Sequence, residues 1–281
     1  MATQELLKRI DEIDRIGNES WMQSLEPRKA AELEFHNRNR NEDFIKASKA
    51  GDSFERFYGN KKYYSTTVRS RQYLSNWLAR EVPGRIFLDY ACGNGHNAMA
   101  AGELGAELAL GFDISNISIQ NCIEAAKEKG LSSKTRFFQA DAERTMLPDN
   151  SVDRVICSGM LHHLDLSYAF PELRRILKPG GKILAVEALD YNPAIKLYRM
   201  ITPDMRTEWE KAHILSLKDV SFARRFFDIG EVRYWHVIGY AGAVLKPLAK
   251  PLDVLDSMLE KIPLVNRMAW TFTFELIKRE N

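Results

Sequence analysis

Residues 86–98 run from an apolar stretch into a glycine-rich turn and then into a stretch of helical character. Gly93 and Gly95 lie in the turn. Glycine has no Cβ and reaches positive φ easily, so a ligand can lie against the backbone there, at the amino end of the following helix. A turn of this kind after the first strand of an α/β sheet is typical of a nucleotide site.

Two carboxylates hold equivalent positions further along the chain. Asp113 ends the apolar run 108–113, and Asp141 follows the run 135–139. A carboxylate at the first position can accept both hydroxyls of a ribose, and one at the second can accept from the edge of an adenine. The glycine turn and the two carboxylates together predict a site for a ligand with an adenosine moiety.

The charge of the ligand separates two interpretations of this pattern. Gly93, Gly95 and Ala98, followed by Asp113, also fit the dinucleotide fingerprint of an NAD-dependent dehydrogenase. Asp89, just before the turn, would repel a pyrophosphate at reduced dielectric. The same carboxylate favours S-adenosylmethionine, whose sulfonium and α-ammonium groups are cationic. The sequence therefore favours S-adenosylmethionine, and the dehydrogenase is the alternative.

His162 and His163 follow the predicted fourth strand, which ends at the ligand crevice of an open α/β sheet. Either imidazole could serve as a general base for a hydroxyl nucleophile. The alternative is a structural imidazole that positions the loop or packs on the cofactor. Because side chains at i and i+1 diverge on a helix or a strand, the adjacent pair predicts no metal site.

Two further segments offer residues for an acceptor. In the stretch 202–213, Arg206 and Glu208 are candidate anchors and His213 is a third candidate base; the alternative is a surface helix whose charged side chains face water. Tyr63 and Tyr64 could cap the cofactor or face its methyl group, since an aromatic ring attracts a sulfonium. The alternative for this pair is an ordinary interface.

The candidates are positioned by the secondary structure of the chain. Short apolar runs alternate with longer helical stretches, which predicts an α/β fold with a parallel sheet and helices on both faces. The predicted parallel strands cover 85–89, 108–113, 135–139, 152–157 and 182–187. A sixth strand is predicted over 231–238, and a run of period two predicts a seventh over 269–277.

Three segments lie outside this alternation. Residues 1–68 are predicted to be helical, with Leu6, Ile10 and Ile13 on one stripe, and to form a lid or an oligomerisation arm. The stretches 190–227 and 239–268 are too long for simple connections, and are predicted to shape a substrate pocket on a single domain over 69–281. The apolar and basic stretch 241–263 indicates a lid or a homo-oligomer interface more than a membrane surface, because Pro247 and Pro251 break a long helix.

Composition argues against several classes of protein. The 281 residues carry 40 Lys and Arg against 38 Asp and Glu, with both signs interleaved, which argues against nucleic acid as a partner. No stretch reaches the roughly 18 apolar residues of a spanning helix, and the charged amino terminus is unlike a signal peptide. Three widely spaced cysteines fit reduced thiols. A cytoplasmic protein without membrane insertion is expected.

Five runs together resemble those of class I S-adenosylmethionine-dependent methyltransferases, in particular the small-molecule group that includes the ubiquinone and menaquinone methyltransferases. The runs are 88–95, 111–115, 139–143, 147–153 and 173–181. The resemblance implies a Rossmann-like sheet of seven strands with the last one antiparallel to its neighbours. It also implies that the turn 89–95 holds the methionine moiety, Asp113 the ribose, and Asp141 with Ala142 the adenine.

The cofactor-binding residues expected from the pattern and the resemblance are Tyr64, Asp89, Ala91, Gly93, Gly95, Asn97, Asp113, Ile114, Asp141, Ala142, Ser158, Met160 and His163.

The expected function is transfer of the methyl group of S-adenosylmethionine to a small-molecule acceptor by in-line displacement, with release of S-adenosylhomocysteine. The acceptor atom can be oxygen, carbon or nitrogen, and the apolar content of the two long insertions favours a hydrophobic acceptor. Besides the dehydrogenase, one alternative is a protein that binds S-adenosylmethionine without turnover. Another is a protein or nucleic-acid methyltransferase, disfavoured by the balanced charge and by the lack of an Asn-Pro-Pro-Tyr-like tetrad after the fourth strand.

Overall fold

The computed structural model describes residues 2–51 and 53–280, and its centre is one seven-stranded sheet. The strands are β1 (Ile86–Tyr90), β2 (Leu108–Asp113), β3 (Thr135–Gln139), β4 (Val152–Ser158), β5 (Leu177–Ala188), β6 (Asp228–Trp235) and β7 (Thr271–Ile277). Their order is β3-β2-β1-β4-β5-β7-β6. The first five are parallel, and β7 lies antiparallel between β5 and β6. The predicted fold is confirmed.

Helices surround this sheet. They are α1 (Ala2–Asp14), α2 (Asn18–Ser24), α3 (Pro27–Arg40), α4 (Glu42–Ala50), α5 (Phe54–Tyr58), α6 (Val68–Glu81), α7 (His96–Glu103), α8 (Asn116–Glu128), α9 (Leu166–Ile176), α10 (Pro193–Ile201), α11 (Glu208–Ala212), α12 (Leu217–Ala223) and α13 (Ala249–Leu259). Short 3₁₀ turns lie at Gly59–Thr66, Leu161–His163, Pro203–Met205, Gly239–Ala243, Lys246–Leu248 and Asn266–Met268.

Both faces of the sheet are buried. Along β1, Leu88 and Tyr90 enter the larger core cluster, whereas Phe87 points to the opposite face and packs with Trp77 of α6. Side chains alternate between the faces of a strand, so a strand that is apolar at every position needs a cover on each side. This two-sided burial leaves the carboxyl ends of the parallel strands as the place where polar side chains can meet a ligand.

The strand boundaries differ most from the predicted ones at β5 and β6. β6 ends at Trp235 rather than at 238, because His236 takes a φ of +65°, which no strand accommodates. β5 begins at Leu177 rather than at 182, since Leu177 already pairs with Val152 of β4 before the glycine pair interrupts the register.

The amino-terminal segment is helical, as predicted, and its first helix belongs to the core. Leu6, Ile10 and Ile13 of α1 are at most 2% exposed and lie in the same cluster as the buried side chains of β2 and β3. Burial of one such aliphatic side chain stabilises a fold by about 1.5–3 kcal/mol. The stripe of α1 is therefore covered by this chain's own sheet, and α3 is left as the part of the segment that could act as a lid.

The two long insertions are also helical in part. The first carries α10, α11 and α12, and the second carries α13 with three 3₁₀ turns. Val244, Leu245 and Leu248, in the segment 241–263, are between 48% and 62% exposed. A lid or oligomer role for that segment stays a prediction. Among the described residues, no helix combines the length and apolar character needed to cross a membrane. All three cysteines are buried free thiols.

Candidate functional site

The glycine-rich turn joins β1 to α7 through three residues with positive φ. Ala91, Gly93 and Gly95 have φ values of 54°, 55° and 67°. A Cβ on Gly95 would lie 2.8 Å from the sulfur of Cys122 and 2.8 Å from the ring of Phe137. Glycine is required at this position by packing as well as by φ, so Gly95 shapes the turn from behind instead of facing a ligand.

Asp89 anchors the same turn from inside the core. It is 2% exposed and accepts hydrogen bonds from the Ala98 backbone N–H at 3.2 Å and the Asn97 side-chain amide at 3.3 Å. Burial raises the pKa of Asp89 to about 7. Asp89, Gly95 and Asn97 were expected to contact the cofactor. They do not line the cavity described below and act on it through the turn.

Asp113 stands at the end of β2, where it faces the turn. Its Oδ2 accepts from the Gly93 N–H and its Oδ1 from the Ser115 N–H, both at 2.9 Å. These two bonds fix the carboxylate at the rim of the cavity, with room for further donors, since a carboxylate has about four acceptor sites.

A narrow cavity of about 180 Å³ lies over the carboxyl ends of β1, β2, β3 and β4. It is the feature that brings most of the expected cofactor residues together. Those lining it are Ala91, Gly93, Asp113, Ile114, Asp141, Ala142, Ser158, Met160 and His163. The turn of small residues and the carboxylates of Asp113 and Asp141 follow one another along the strand ends. This arrangement of hydrogen-bond acceptors suits an adenosine with a cationic tail.

Helix α3 closes this cavity with cations. Arg40 Nη1 lies 3.3 Å from Asp113 Oδ1, and Lys29 Nζ lies 2.6 Å from Asp141 Oδ2 and 2.9 Å from Glu143 Oε2. Sites for small molecules usually enclose about 300 Å³ or more. The narrow cavity is smaller than that, and the basic side chains of α3 pair with the carboxylates that were expected to hold ribose and adenine.

A second, wider cavity of about 920 Å³ adjoins the narrow one. Its walls come from the amino-terminal segment and from both long insertions. The aromatic lining residues are Phe35, Phe57, Tyr58, Tyr63, Tyr64, Tyr198, Tyr240 and Trp270. Tyr63 packs edge-on against Tyr198, and Tyr64 packs on Trp270, with ring centroids 5.5 and 5.2 Å apart. Tyr64, expected at the cofactor, thus lies with Tyr63 in the wider cavity.

His162 and Glu187 form a hydrogen-bonded pair on the wall of the wider cavity. His162 Nδ1 lies 2.7 Å from Glu187 Oε2, and Glu187 Oε1 accepts from the Met160 and Leu161 N–H groups at 2.9 and 2.8 Å. A carboxylate can only accept, so Nδ1 of His162 donates to Glu187, and in the neutral imidazole Nε2 then keeps its lone pair. Nε2 lies 3.9 Å from Glu210 Oε1. This arrangement suits a general base.

His163 lies at the junction of the two cavities. Its Nδ1 is 2.9 Å from Glu32 Oε2, and its ring centroid lies 4.2 Å from that of His162 and 4.9 Å from that of His36. The expectation that the rings of His162 and His163 diverge is wrong, because the 3₁₀ turn Leu161–His163 is neither helix nor strand and turns both rings to one side.

Two candidates from the stretch 202–213 lie away from both cavities. His213 is exposed and stacks on Trp209, with ring centroids 3.7 Å apart, and its Nδ1 meets the Trp209 carbonyl at 2.8 Å. The Glu208 side chain is 90% exposed and pairs with Lys211. The structure therefore brings neither His213 nor Glu208 to these cavities, and the contact with Trp209, four residues earlier, turns the His213 imidazole outward.

Arg206, the third candidate of that stretch, does line the wider cavity, together with Arg199 of α10. Arg206 Nη1 donates to the Thr202 carbonyl at 2.9 Å. Arg199 Nη1 is 3.4 Å from Asp190 Oδ1. Burial, and then the charge of Arg206, lower the pKa of Arg199 to about 10, so the Arg199 guanidinium is still charged at neutral pH. Arg206 Nε also lies 3.6 Å from Glu210 Oε1, so the two guanidinium groups lie beside two carboxylates, Asp190 and Glu210.

The comparison with known families fits this geometry. Residues 88–185, from β1 to the middle of β5, match the family model described as a methyltransferase domain. This segment of the chain is therefore similar to methyltransferase domains, and the strand order of the sheet is compatible with that match. The matched span contains the glycine turn, Asp113, Asp141 and both adjacent histidines, whereas α3 and the two long insertions lie outside it.

Curated relatives of the methyltransferase domain act on different substrates. The ribosomal protein L11 methyltransferase of Photobacterium profundum is 31% identical over 143 residues, 47% of this chain and 46% of that protein. Sterol 24-C-methyltransferase ERG6B of Gibberella zeae is 31% identical over 129 residues, 46% and 34% of the two chains. Demethylmenaquinone methyltransferase of Bacteroides fragilis is 34% identical over 114 residues, 40% and 46%. The chain thus spans less than half of each of these relatives.

Solved structures share the fold of the methyltransferase domain. The cyclase SpnF has a TM-score of 0.54 at 19% identity, covering 74% of this chain and 81% of that one. Geranyl diphosphate methyltransferase, in complex with GPP and sinefungin, has a TM-score of 0.54 at 17% identity, covering 74% and 76%. Such identities establish the fold, and one fold serves different reactions.

Several residues at the site were missed from the sequence. Glu187 ends β5, and the rule that ligands meet the carboxyl ends of parallel strands could have found it. Glu32 and His36 lie four residues apart on α3, a spacing that puts a carboxylate and an imidazole on one helix face. Arg40 and Arg199 had no local signal, because a single basic residue on an amphipathic helix is most often solvated.

Proposed function

We propose that this chain transfers the methyl group of S-adenosylmethionine to a small-molecule acceptor with an apolar body and an anionic group. The observation that carries the proposal is the common wall of the two cavities. His36, Ser158, Gly159 and His163 line both of them. A cofactor in the narrow cavity and an acceptor in the wider one would meet at that wall.

The cofactor would be held as the resemblance implies, with its methionine part against the turn 89–95, its ribose at Asp113 and its adenine at Asp141 with Ala142. Entry requires α3 to withdraw Arg40 and Lys29 from these two carboxylates. S-adenosylmethionine supplies an electrophilic methyl group, so the protein has chiefly to hold the nucleophile about 3 Å from it and in line with the carbon–sulfur bond.

Deprotonation of the acceptor would fall to His162. Its Nε2 lone pair faces the wider cavity, while Nδ1–H is held by Glu187. An alcohol, phenol or amine that keeps its proton at neutral pH would pass it to Nε2 as the methyl group is transferred. The buried charge of Glu187 would then stabilise the imidazolium.

The acceptor class is inferred from the lining of the wider cavity. Eight Phe, Tyr and Trp side chains line it together with several aliphatic ones, which suits a flat or extended apolar body. Arg199 and Arg206 lie on α10 and just before α11, at the side formed by the first insertion. Because a guanidinium binds carboxylates and phosphates in two-point geometry, an acidic group on the acceptor would be recognised there.

Transfer can be tested without knowing the acceptor. The protein is incubated with S-adenosylmethionine carrying a radioactive methyl group and with a fractionated bacterial metabolite extract. The proposal expects label in a low-mass fraction that organic solvent extracts at acidic pH. Label confined to protein would contradict the small-molecule proposal, and would favour a reaction of the kind named for the ribosomal protein L11 relative.

Asp113→Ala is expected to weaken the binding of S-adenosylhomocysteine at least tenfold, because both ribose hydroxyls lose their acceptor. Isothermal titration calorimetry measures the change. Asp228→Ala is the control, since Asp228 lies at the far edge of the sheet and is 61% exposed in its side chain. Affinity unchanged by Asp113→Ala would place the ribose elsewhere.

Arg199→Met is expected to weaken the binding of an anionic amphiphile about tenfold and to leave the binding of its neutral analogue unchanged. The reason is that loss of one charge-assisted contact is worth roughly 1.5–3 kcal/mol. The probes are anilinonaphthalene sulfonate and N-phenylnaphthylamine, which lacks the sulfonate, and the readout is fluorescence. Lys196→Met is the matched control, because Lys196 pairs with the same Asp190 but is half exposed. Equal effects on both probes would contradict the anion subsite.

A further inference from the structure

Three side chains at the common wall of the two cavities present metal-ligand atoms to one another. They are Glu32 and His36 of α3 and His163 of the 3₁₀ turn after β4, and one ligand atom from each lies within 4.8 Å of the other two. Glu32 Oε2 is 2.9 Å from His163 Nδ1 and 3.7 Å from His36 Nε2. We propose that this cluster binds a divalent transition-metal ion.

The spacing suits such an ion. Bonds of 2.0–2.2 Å in tetrahedral geometry place ligand atoms about 3.4 Å apart, and the two measured distances lie on either side of that value. Small movements of the side chains would admit an ion at the centre. Two imidazoles with one carboxylate favour zinc, cobalt, iron or nickel over magnesium and calcium, which prefer oxygen ligands alone.

The surroundings of the cluster are organised as those of metal ligands are. The hydroxyl of Thr207 donates to Glu32 Oε1, leaving Oε2 for the ion. A second group, His162, His163 and Glu210, shares His163, so two further donors lie on the other side of the same imidazole. Glu32 and Glu210 together can balance the charge of a divalent cation.

Three cations near the cluster are each paired with a carboxylate, although the charge of Arg40 still acts on His36. Arg28 pairs with Glu143, Lys29 with Asp141 and Arg40 with Asp113. A different cluster, His236 with Asp256 and Glu260, is unsuitable because the guanidinium of Arg69 lies 2.9 Å from both carboxylates. The cluster at the common wall is therefore the better candidate among the described residues.

An ion there would do two things. It would join α3 to the loop after β4 and so hold the amino-terminal segment against the rest of the domain. When bound, it would also supply a Lewis acid to an acceptor oxygen at the meeting point of the cavities. The binding of the ion itself does not depend on the proposed methyl transfer, and each can fail without the other.

The test is titration of the tag-free, chelator-stripped full chain with Co²⁺, followed by calorimetry and by visible absorption. The proposal expects one strong site per chain, proton release on binding as the Glu32–His163 hydrogen bond is replaced, and a higher melting temperature with Co²⁺. Glu32→Gln and His36→Gln are each expected to lower the affinity more than about 100-fold, because even the outer partners of metal ligands are worth 10–100-fold.

His213→Gln is the matched control, since it removes an exposed imidazole outside the cluster. Melting temperatures without metal, and binding of S-adenosylhomocysteine, show whether each variant is folded. Absence of a stoichiometric site, or a site equally strong in Glu32→Gln and His36→Gln, would overturn the proposal. Loss of methyl transfer with Co²⁺ binding intact would instead count against the proposed function alone.

Discussion

Glu187→Gln is expected to lower kcat for a protonated acceptor by about 10² to 10⁴-fold while leaving the binding of S-adenosylhomocysteine unchanged. The carbonyl oxygen of the introduced side-chain amide can still accept from the Met160 and Leu161 N–H groups, so the loop keeps its shape. The amide nitrogen would face His162 Nδ1 as a donor, which forces the imidazole proton onto Nε2. The base would then point its N–H, instead of its lone pair, at the acceptor.

Two readouts separate this effect from a merely structural one. Raising the pH until the acceptor is itself deprotonated should rescue Glu187→Gln, because a base is no longer needed. His162→Gln should lower kcat by a similar factor. The double variant should lower kcat little further, since both substitutions disable the same hydrogen-bonded pair. His213→Gln should retain full activity, as its imidazole stacks on Trp209 outside the cavity. Failure of alkaline rescue would assign the pair a positioning role.

The part of the site built from the parallel strands was predictable because its signals are local. Gly93, Asp113 and Asp141 each lie at the end of an apolar run or within three residues after it, and parallel strands bring their carboxyl ends to one edge. Tyr64 and His213 were misplaced for a different reason. Whether an aromatic ring or an imidazole turns into a cavity depends on its packing partners, Trp270 and Trp209, which pattern reasoning did not supply.

The position of α3 over the narrow cavity was not predictable in detail. Arg40 meets Asp113 and Lys29 meets Asp141 across separations of 73 and 112 residues. The helical character of α3 follows from local sequence, but its docking depends on complementary charges at positions far apart in the chain. The same holds for Glu32 and His163, so the candidate metal cluster exists only once α3 lies on the loop after β4.

Asp89→Asn is expected to stabilise the protein without ligand at pH 8 and to abolish most of its affinity for S-adenosylhomocysteine. Asp89 is buried, and its pKa is raised to about 7 from an ordinary value of 3.8. Below about pH 4 the carboxyl is protonated in both folded and unfolded chains, so its ionisation does not lower the free energy of unfolding. As the pH rises to 7, the unfolded chain gains the ionised form and the folded chain does not, so stability is lost over this window.

Above pH 7 the cost of keeping the carboxylate ionised in the fold levels off at up to about 4 kcal/mol, at about 1.36 kcal/mol per pKa unit. Asparagine retains an acceptor for the Ala98 N–H and carries no charge to bury. The gain in unfolding free energy of Asp89→Asn over the native chain should therefore be near zero at pH 4 and largest at pH 8. Urea denaturation at the two pH values measures it.

Asp89→Asn is expected to raise stability and to lower the affinity for the ligand, so the two measurements change in opposite directions. The α-ammonium of S-adenosylhomocysteine favours the ionised carboxylate behind the turn, so the native chain should bind more tightly as the pH rises from 6 to 8. Asp89→Asn should bind weakly and lose that pH dependence. A variant that is more stable but binds as tightly as the native chain would show that Asp89 serves only the turn, and that the charge of the cofactor is met elsewhere.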